Sequence, residues 1–156
     1  MEGIKQMSIF HAMNNSASAL TAQRLRMDVA SSNMANANTT RATLNENGEW
    51  EPYRRKMVVF QPSENKFSHF LHKAAHHPSQ GSGVKATDIK EDKEPFKLVY
   101  NPNHPDSNPN GYVKLPNVDP LKEMVDMMSA TRSYEANVTS VNASKSMLTK
   151  ALEIGR

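Results

Sequence analysis

The stretch from Asp119 to Gly155, DPLKEMVDMMSATRSYEANVTSVNASKSMLTKALEIG, decides the fold. Asp119 and Pro120 form a helix start signal. The first is an N-cap carboxylate; the second has a fixed φ that suits the first helical position. Glu123 adds negative charge near the positive end of the helix dipole. Lys122, at the third helical position, rules out a reciprocal capping box. The row Met124, Met127, Thr131, Tyr134, Val138, Val141, Lys145, Leu148, Leu152 then advances in alternating steps of three and four without a slip. That is the spacing of a coiled-coil stripe. Gly155 closes the helix as a C′ residue. The predicted helix is about 45–50 Å long at ~1.5 Å per residue. Its one-sided stripe needs a partner helix along its length.

The N-terminal stretch supplies the candidate partner. From about Ser8 to Asn33, Phe10, Met13, Ala17, Leu20 and Met27 fall on a similar row, interrupted by Arg24 and flanked by a second row through Leu25 and Val29. Asn and Ser are frequent here and are mediocre helix formers, so this helix is expected to lean on its partner.

The middle differs in composition. Tyr53–Phe60, Val84–Ile89, Phe96–Tyr100 and Gly111–Leu115 read as strands, and Asn108-Pro109-Asn110-Gly111 as a turn. Residues 101–110 are rich in Pro and Asn and read as loop. Residues 63–83 are polar and read as a flexible loop. The expected fold class is α+β: N- and C-terminal helices paired as a coiled-coil-like hairpin, with a small β-rich middle domain. The expected division is 1–40 plus 117–156 for the helical domain and 41–116 for the β-rich one.

Composition narrows the function. Hydrophobic residues make up 37% of 156 and mean hydropathy is −0.68, lean for a self-sufficient globule of this size. Part of the core is therefore expected to come from neighbours. No cysteine is present, which removes disulfides, thiolate metal ligands and thiol nucleophiles. No apolar h-region follows Met1, so no Sec-type signal is expected. No apolar run approaches the roughly 20 residues of a membrane span. Net charge is +3 and only Arg54-Arg55-Lys56 forms a basic run, inside a predicted strand. Edge cations of that kind guard strands against wrong pairing, and nucleic acid is not an expected partner.

Catalytic patterns are weak. His69, His72, His76 and His77 could share a helix face, yet only Glu64 lies nearby to complete a metal set. Asp88, Glu91, Asp92 and Glu94 alternate with Lys90 and Lys93, as a solvated turn does. His104 and Asp106 flank Pro105 in a structural turn. No catalytic residue, metal site or cofactor is expected, and the chain does not read as an enzyme.

Ser31-Ser32-Asn33-Met34-Ala35-Asn36-Ala37-Asn38-Thr39 closes the first helix with an Asn-rich corner. It resembles the S-x-N-x-A-N-x-x-T signature of bacterial flagellar rod and hook proteins, carried here by Ser31, Asn33, Ala35, Asn36 and Thr39. Asn suits such an exit because it bonds its own backbone. That family usually continues with Pro-Gly; this chain has Thr40-Arg41. Pro52 through Lys56 with Val58-Val59-Phe60, and the run from His104 through Gly111-Tyr112-Val113-Lys114-Leu115-Pro116-Asn117-Val118 to Val138, are similar to the family's proximal-rod branch. The resemblance covers nearly the whole chain outside residues 64–80.

The resemblance implies a structural subunit of the flagellar basal-body rod, outside the cytoplasmic membrane, needed for flagellum assembly and motility. It implies export through the flagellar type III export apparatus and terminal helices that stack with neighbours into a tube wall bounding an export channel. Implied partners are other flagellar rod proteins and copies of itself, with the β unit able to lie near peptidoglycan. The expected assembly interface is Phe10, Met13, Leu20 and Met27 with Met124, Met127, Tyr134, Val138, Val141, Leu148 and Leu152. The competing readings are a free-standing adaptor with stable helices and a metal enzyme built on the histidines.

Overall fold

Asp119 caps the C-terminal helix as its sequence predicts. Its Oδ1 accepts the Leu121 N–H at 3.0 Å and its carbonyl accepts the Glu123 N–H at 3.0 Å. In the computed structural model, residues 2–46, 48–63 and 83–154 are described, with side chains from residue 10 onward. The C-terminal helix, α2, spans Pro120–Ile154 and the N-terminal helix, α1, spans Glu2–Ala35. Helix α1 starts six residues before Ser8. Glu2, Lys5, Gln6 and Met7 are straight-chain helix formers, so they extend the helix without belonging to the apolar row.

Three two-stranded ribbons lie between the helices in sequence: β1 (Thr43–Leu44) with β2 (Trp50–Glu51), β3 (Lys56–Pro62) with β4 (Val84–Glu91), and β5 (Lys97–Tyr100) with β6 (Tyr112–Leu115). β5 and β6 pair antiparallel, with Leu98 opposite Lys114 and Tyr100 opposite Tyr112. Helices at the two ends and small antiparallel ribbons in the middle make the chain α+β. β3 begins three residues after Tyr53 because that segment bonds elsewhere. The Tyr53 N–H goes to the Thr39 carbonyl at 3.1 Å and the Arg55 N–H to Asn117 Oδ1 at 2.8 Å. The β1–β2 hairpin lies outside the predicted strands. Its signal is Gly48, at φ 77°, whose N–H closes onto the Asn45 carbonyl at 3.0 Å.

The described residues group into two compact units. One takes Met1–Leu25, Val59–Asp88 and Ala130–Arg156; the other takes Arg26–Val58 and Ile89–Ser129. In the first, Ser16 and Ser140 of the two helices meet at 3.4 Å. Also in the first, the Val84 N–H is held by Ser18 Oγ at 3.1 Å. A Cβ on Gly83 would collide with that oxygen, so a larger residue there would have to displace the Ser18 side chain. In the second, Arg26 bonds Asp126 at 2.8 Å and Asn33 bonds Glu123 at 3.0 Å. Rising numbers in α1 meet falling numbers in α2, so the helices run antiparallel there.

The covered line of α2 passes through Glu123, Met127, Ala130, Tyr134, Asn137, Val141, Ser144 and Leu148. It shares every second position with the predicted row and shifts by one at the others. Ala130 is 0% exposed, while Met124 and Leu152 are exposed. The most covered positions of α1 are Ala22, Ala30 and Asn33. Small side chains let helix axes approach, and interaxial distance follows the side chains at the contact. The large apolar residues are thereby left on the flanks.

Candidate assembly site: a buried polar clasp beside exposed helix faces

Asn33 stands in the last turn of α1 and is 1% exposed. Its Nδ2 donates to the Lys56 carbonyl at 2.8 Å and to Glu123 Oε2 at 3.0 Å. Its Oδ1 accepts from the Tyr53 hydroxyl at 3.0 Å and the Lys56 N–H at 2.9 Å. Two donors and two acceptor positions are all used, as a buried amide requires. One side chain thus ties α1 to the start of β3 and to α2.

Arg55 is the second centre. Its Nε donates to Glu123 Oε1 at 2.5 Å, and its terminal nitrogens reach Asp92 at 3.3 Å and Asp126 at 3.5 Å. Burial opposes the Arg55 charge, but the Glu123 bond and charge, followed by those of Asp92, outweigh it and raise its pKa. Asp92 accepts the Glu94 N–H at 3.0 Å, and with Arg55 beside it the carboxyl stays below the usual range despite burial. Asn117 closes the far side. Its Oδ1 takes the Arg55 N–H, and its Nδ2 reaches the Glu94 carbonyl at 3.1 Å. A buried ion pair adds little over a well-packed apolar pair, whereas losing one partner costs about 3–5 kcal/mol. The clasp therefore specifies one register of helices and loops more than it adds stability.

The rest of the Asn-rich corner forms the exit turn. Asn36 Nδ2 donates to the Ser32 carbonyl at 2.9 Å, and the Thr39 hydroxyl donates to Asn36 Oδ1 at 3.2 Å. Ser31 and Ala35 are exposed. Thr40 and Arg41 both bind Asp106, the hydroxyl at 2.7 Å and Nε at 2.6 Å. Arg41 first and Thr40 second hold the Asp106 carboxyl below its ordinary range. The Asp106 N–H donates to His104 Nδ1 at 3.1 Å, so this segment is a turn.

Among the expected interface residues, Phe10, Met124 and Leu152 are exposed, and Met13, Leu20, Met27, Met127, Tyr134, Val138, Val141 and Leu148 are half-buried. Leu121 (73% exposed), Val125 and Met128, which are absent from the expected interface, join Met124 as large exposed apolar side chains of α2. Their steps of three and four were readable as a second row beside the first. Arg55, Asp92 and Glu123 were read as strand edge, solvated turn and dipole partner. Nothing in residue spacing joins positions so far apart. His69, His72, His76, His77 and Glu64 lie outside the described residues. Among the described residues, no group of three or more His, Asp or Glu side chains is placed to hold a metal ion. No described helix is long and apolar enough to cross a membrane.

Comparison with known proteins bears on both parts of this site. The family model described as flagella basal body rod protein matches residues 13–43, which contain Asn33 and the exit turn. The model for the flagellar basal body rod FlgEFG protein C-terminal region matches residues 110–154, which contain Asn117 and Glu123. Over 151 residues, 96% of this chain and 100% of the relative, the chain is 60% identical to the flagellar basal-body rod protein FlgC of Bacillus subtilis. The chain belongs to the FlgC family. Other FlgC proteins match over similar spans: that of Borreliella burgdorferi at 45% identity (95% of this chain, 98% of the relative) and that of Salmonella typhimurium at 42% (96% and 100%). FlgC membership makes the chain a structural component of the flagellar basal-body rod, the branch that the corner and C-terminal motifs indicated.

Proposed function

We propose that this chain assembles into the rod by helical stacking of its terminal helices and forms part of an export channel wall, as needed for flagellum assembly and motility. Residues 1–40 and 117–156 are the tube-forming part, and 41–116 the β-rich part outside it, near peptidoglycan. Copies of the chain and other rod proteins are its neighbours, and the flagellar type III apparatus is its route. The observation that carries this is the inverted burial of α2. Ala130 and Ser144 are covered while Leu121, Met124, Val125 and Met128 are exposed. Covering what remains exposed of four such side chains is worth on the order of 3–7 kcal/mol before ordering costs. A contact of one face with a different face of the next subunit extends as an open tube.

The test is deletion of the gene, scored by swimming and by electron micrographs of the cell envelope. Loss of hooks and filaments, restored by the intact gene, is the expected result. Normal flagella would refute the reading and favour a free-standing adaptor.

A further inference from the structure

The β1–β2 hairpin carries Trp50, the chain's one tryptophan, with 53% of its surface exposed. Its cross-strand partner is Leu44, also exposed. A two-stranded hairpin is marginal by itself, and an apolar pair left in water adds nothing to it. The turn that presents Trp50 is nevertheless well fixed: the Asn45 N–H reaches the Glu49 carbonyl at 2.9 Å, and the Glu49 N–H reaches Asn45 Oδ1 at 2.9 Å. Glu46 and Glu49 are exposed on the same hairpin, and residues 43–51 include no basic side chain.

The compact unit that contains this hairpin also has an open cleft of about 440 Å³, lined in part by Tyr53, Arg54, Lys56, Glu51 and Glu91. That volume lies within the roughly 300–1,000 Å³ of sites that take small organic groups. The Arg54 guanidinium sits 4.3 Å from the Phe96 ring centre, and the Lys56 ammonium 5.7 Å from the Tyr53 ring centre. Among the described residues neither has a carboxylate within 4.0 Å. Glu51 and Glu91 also line the cleft, so its charge is mixed, and an aromatic ring whose face meets the cations fits it better than a simple anion.

We infer that Trp50 with its flanking glutamates docks in this cleft on a second copy of the chain. The indole face meets the two cations, as ring quadrupoles favour. Glu46 and Glu49 bring the carboxylates that Arg54 and Lys56 lack. Trp, Tyr and Arg are the side chains that most often dominate interface energy. Both halves of this complementary pair belong to one chain, and because Thr43 and Glu51 of the hairpin themselves line the cleft, the two halves adjoin on each copy. The inference rests on the rod reading, which makes copies neighbours.

The test places a photo-reactive benzoylphenylalanine at position 50 and irradiates isolated basal bodies. The expected product is a band at twice the chain's mass, cross-linked to the cleft segments around Thr39–Thr43 or Tyr53–Lys56 of the second copy. The same group at Glu91, a cleft residue outside the hairpin, should capture the hairpin of another copy, and decides the matter if the position-50 variant does not assemble. Arg54→Glu with Lys56→Glu should abolish the band. Capture of a different protein, no capture in basal bodies that contain the chain, or a band that survives the double substitution would overturn the inference. Absence of the unsubstituted chain from basal bodies would overturn the rod reading instead.

Discussion

Asn33 holds three segments together with four bonds from one amide. Asn33→Ala strands the Lys56 N–H and carbonyl, the Tyr53 hydroxyl and one Glu123 oxygen. The expected loss is about 3 kcal/mol, as several buried groups lose partners worth ~1–3 kcal/mol each and water recovers some. A urea midpoint shift at unchanged slope would show it. Arg55→Ala should cost about 3–5 kcal/mol by leaving Glu123 charged and buried, whereas Arg55→Met with Glu123→Leu should recover much of that loss. Equal losses in the single and double variants would refute the clasp. Asp92 and Asp106 are both depressed below an ordinary value of 3.8. Unfolded chains bind protons at those groups first as pH falls. Their contribution is whole at neutral pH and is lost below about pH 4. Asp92→Asn should flatten that acid limb of a melting-temperature profile.

At the scale of elements, the sequence made both helices legible and gave every second position of the covered line of α2, with the others shifted by one. A row of large apolar residues at steps of three and four points to a helix face, and α2 has one. The covered line instead takes Ala130 and Ser144, because close helix approach favours small side chains, and small residues leave a weak mark in a hydrophobic pattern. Two variants separate the roles. Ala130→Leu should overpack the helix contact and cost about 1–3 kcal/mol. Met124→Ala should change stability by less than about 0.5 kcal/mol, as exposed sites do, yet weaken incorporation into the rod. Thermal melts paired with basal-body immunoblots would distinguish them. The strands were placed to within a few residues. The β1–β2 hairpin was missed because its strands are two residues long. The clasp was invisible for another reason: Arg55 and Glu123 are joined only by the fold.

At the scale of the whole molecule, lean composition and exposed apolar faces point the same way. A subunit with little core of its own gains order from neighbours, and ordering costs roughly 1–2 kcal/mol per residue. Val138→Asp should permit expression and block rod growth; normal motility would count against the helix interface. Amide exchange in the free subunit should be fast at both chain ends and slower around Asn33, Arg55 and Glu123.

The clasp also bears on timing. Its members lie at positions 33, 55, 92, 117, 123 and 126, so it closes loops spanning most of the chain. A ribosome delivers the N-terminus first. While Asn33 and Arg55 have already emerged, their carboxylate partner has yet to be made. The growing polypeptide stays unlatched through most of its synthesis, and the arrival of Glu123 starts the clock for its folding.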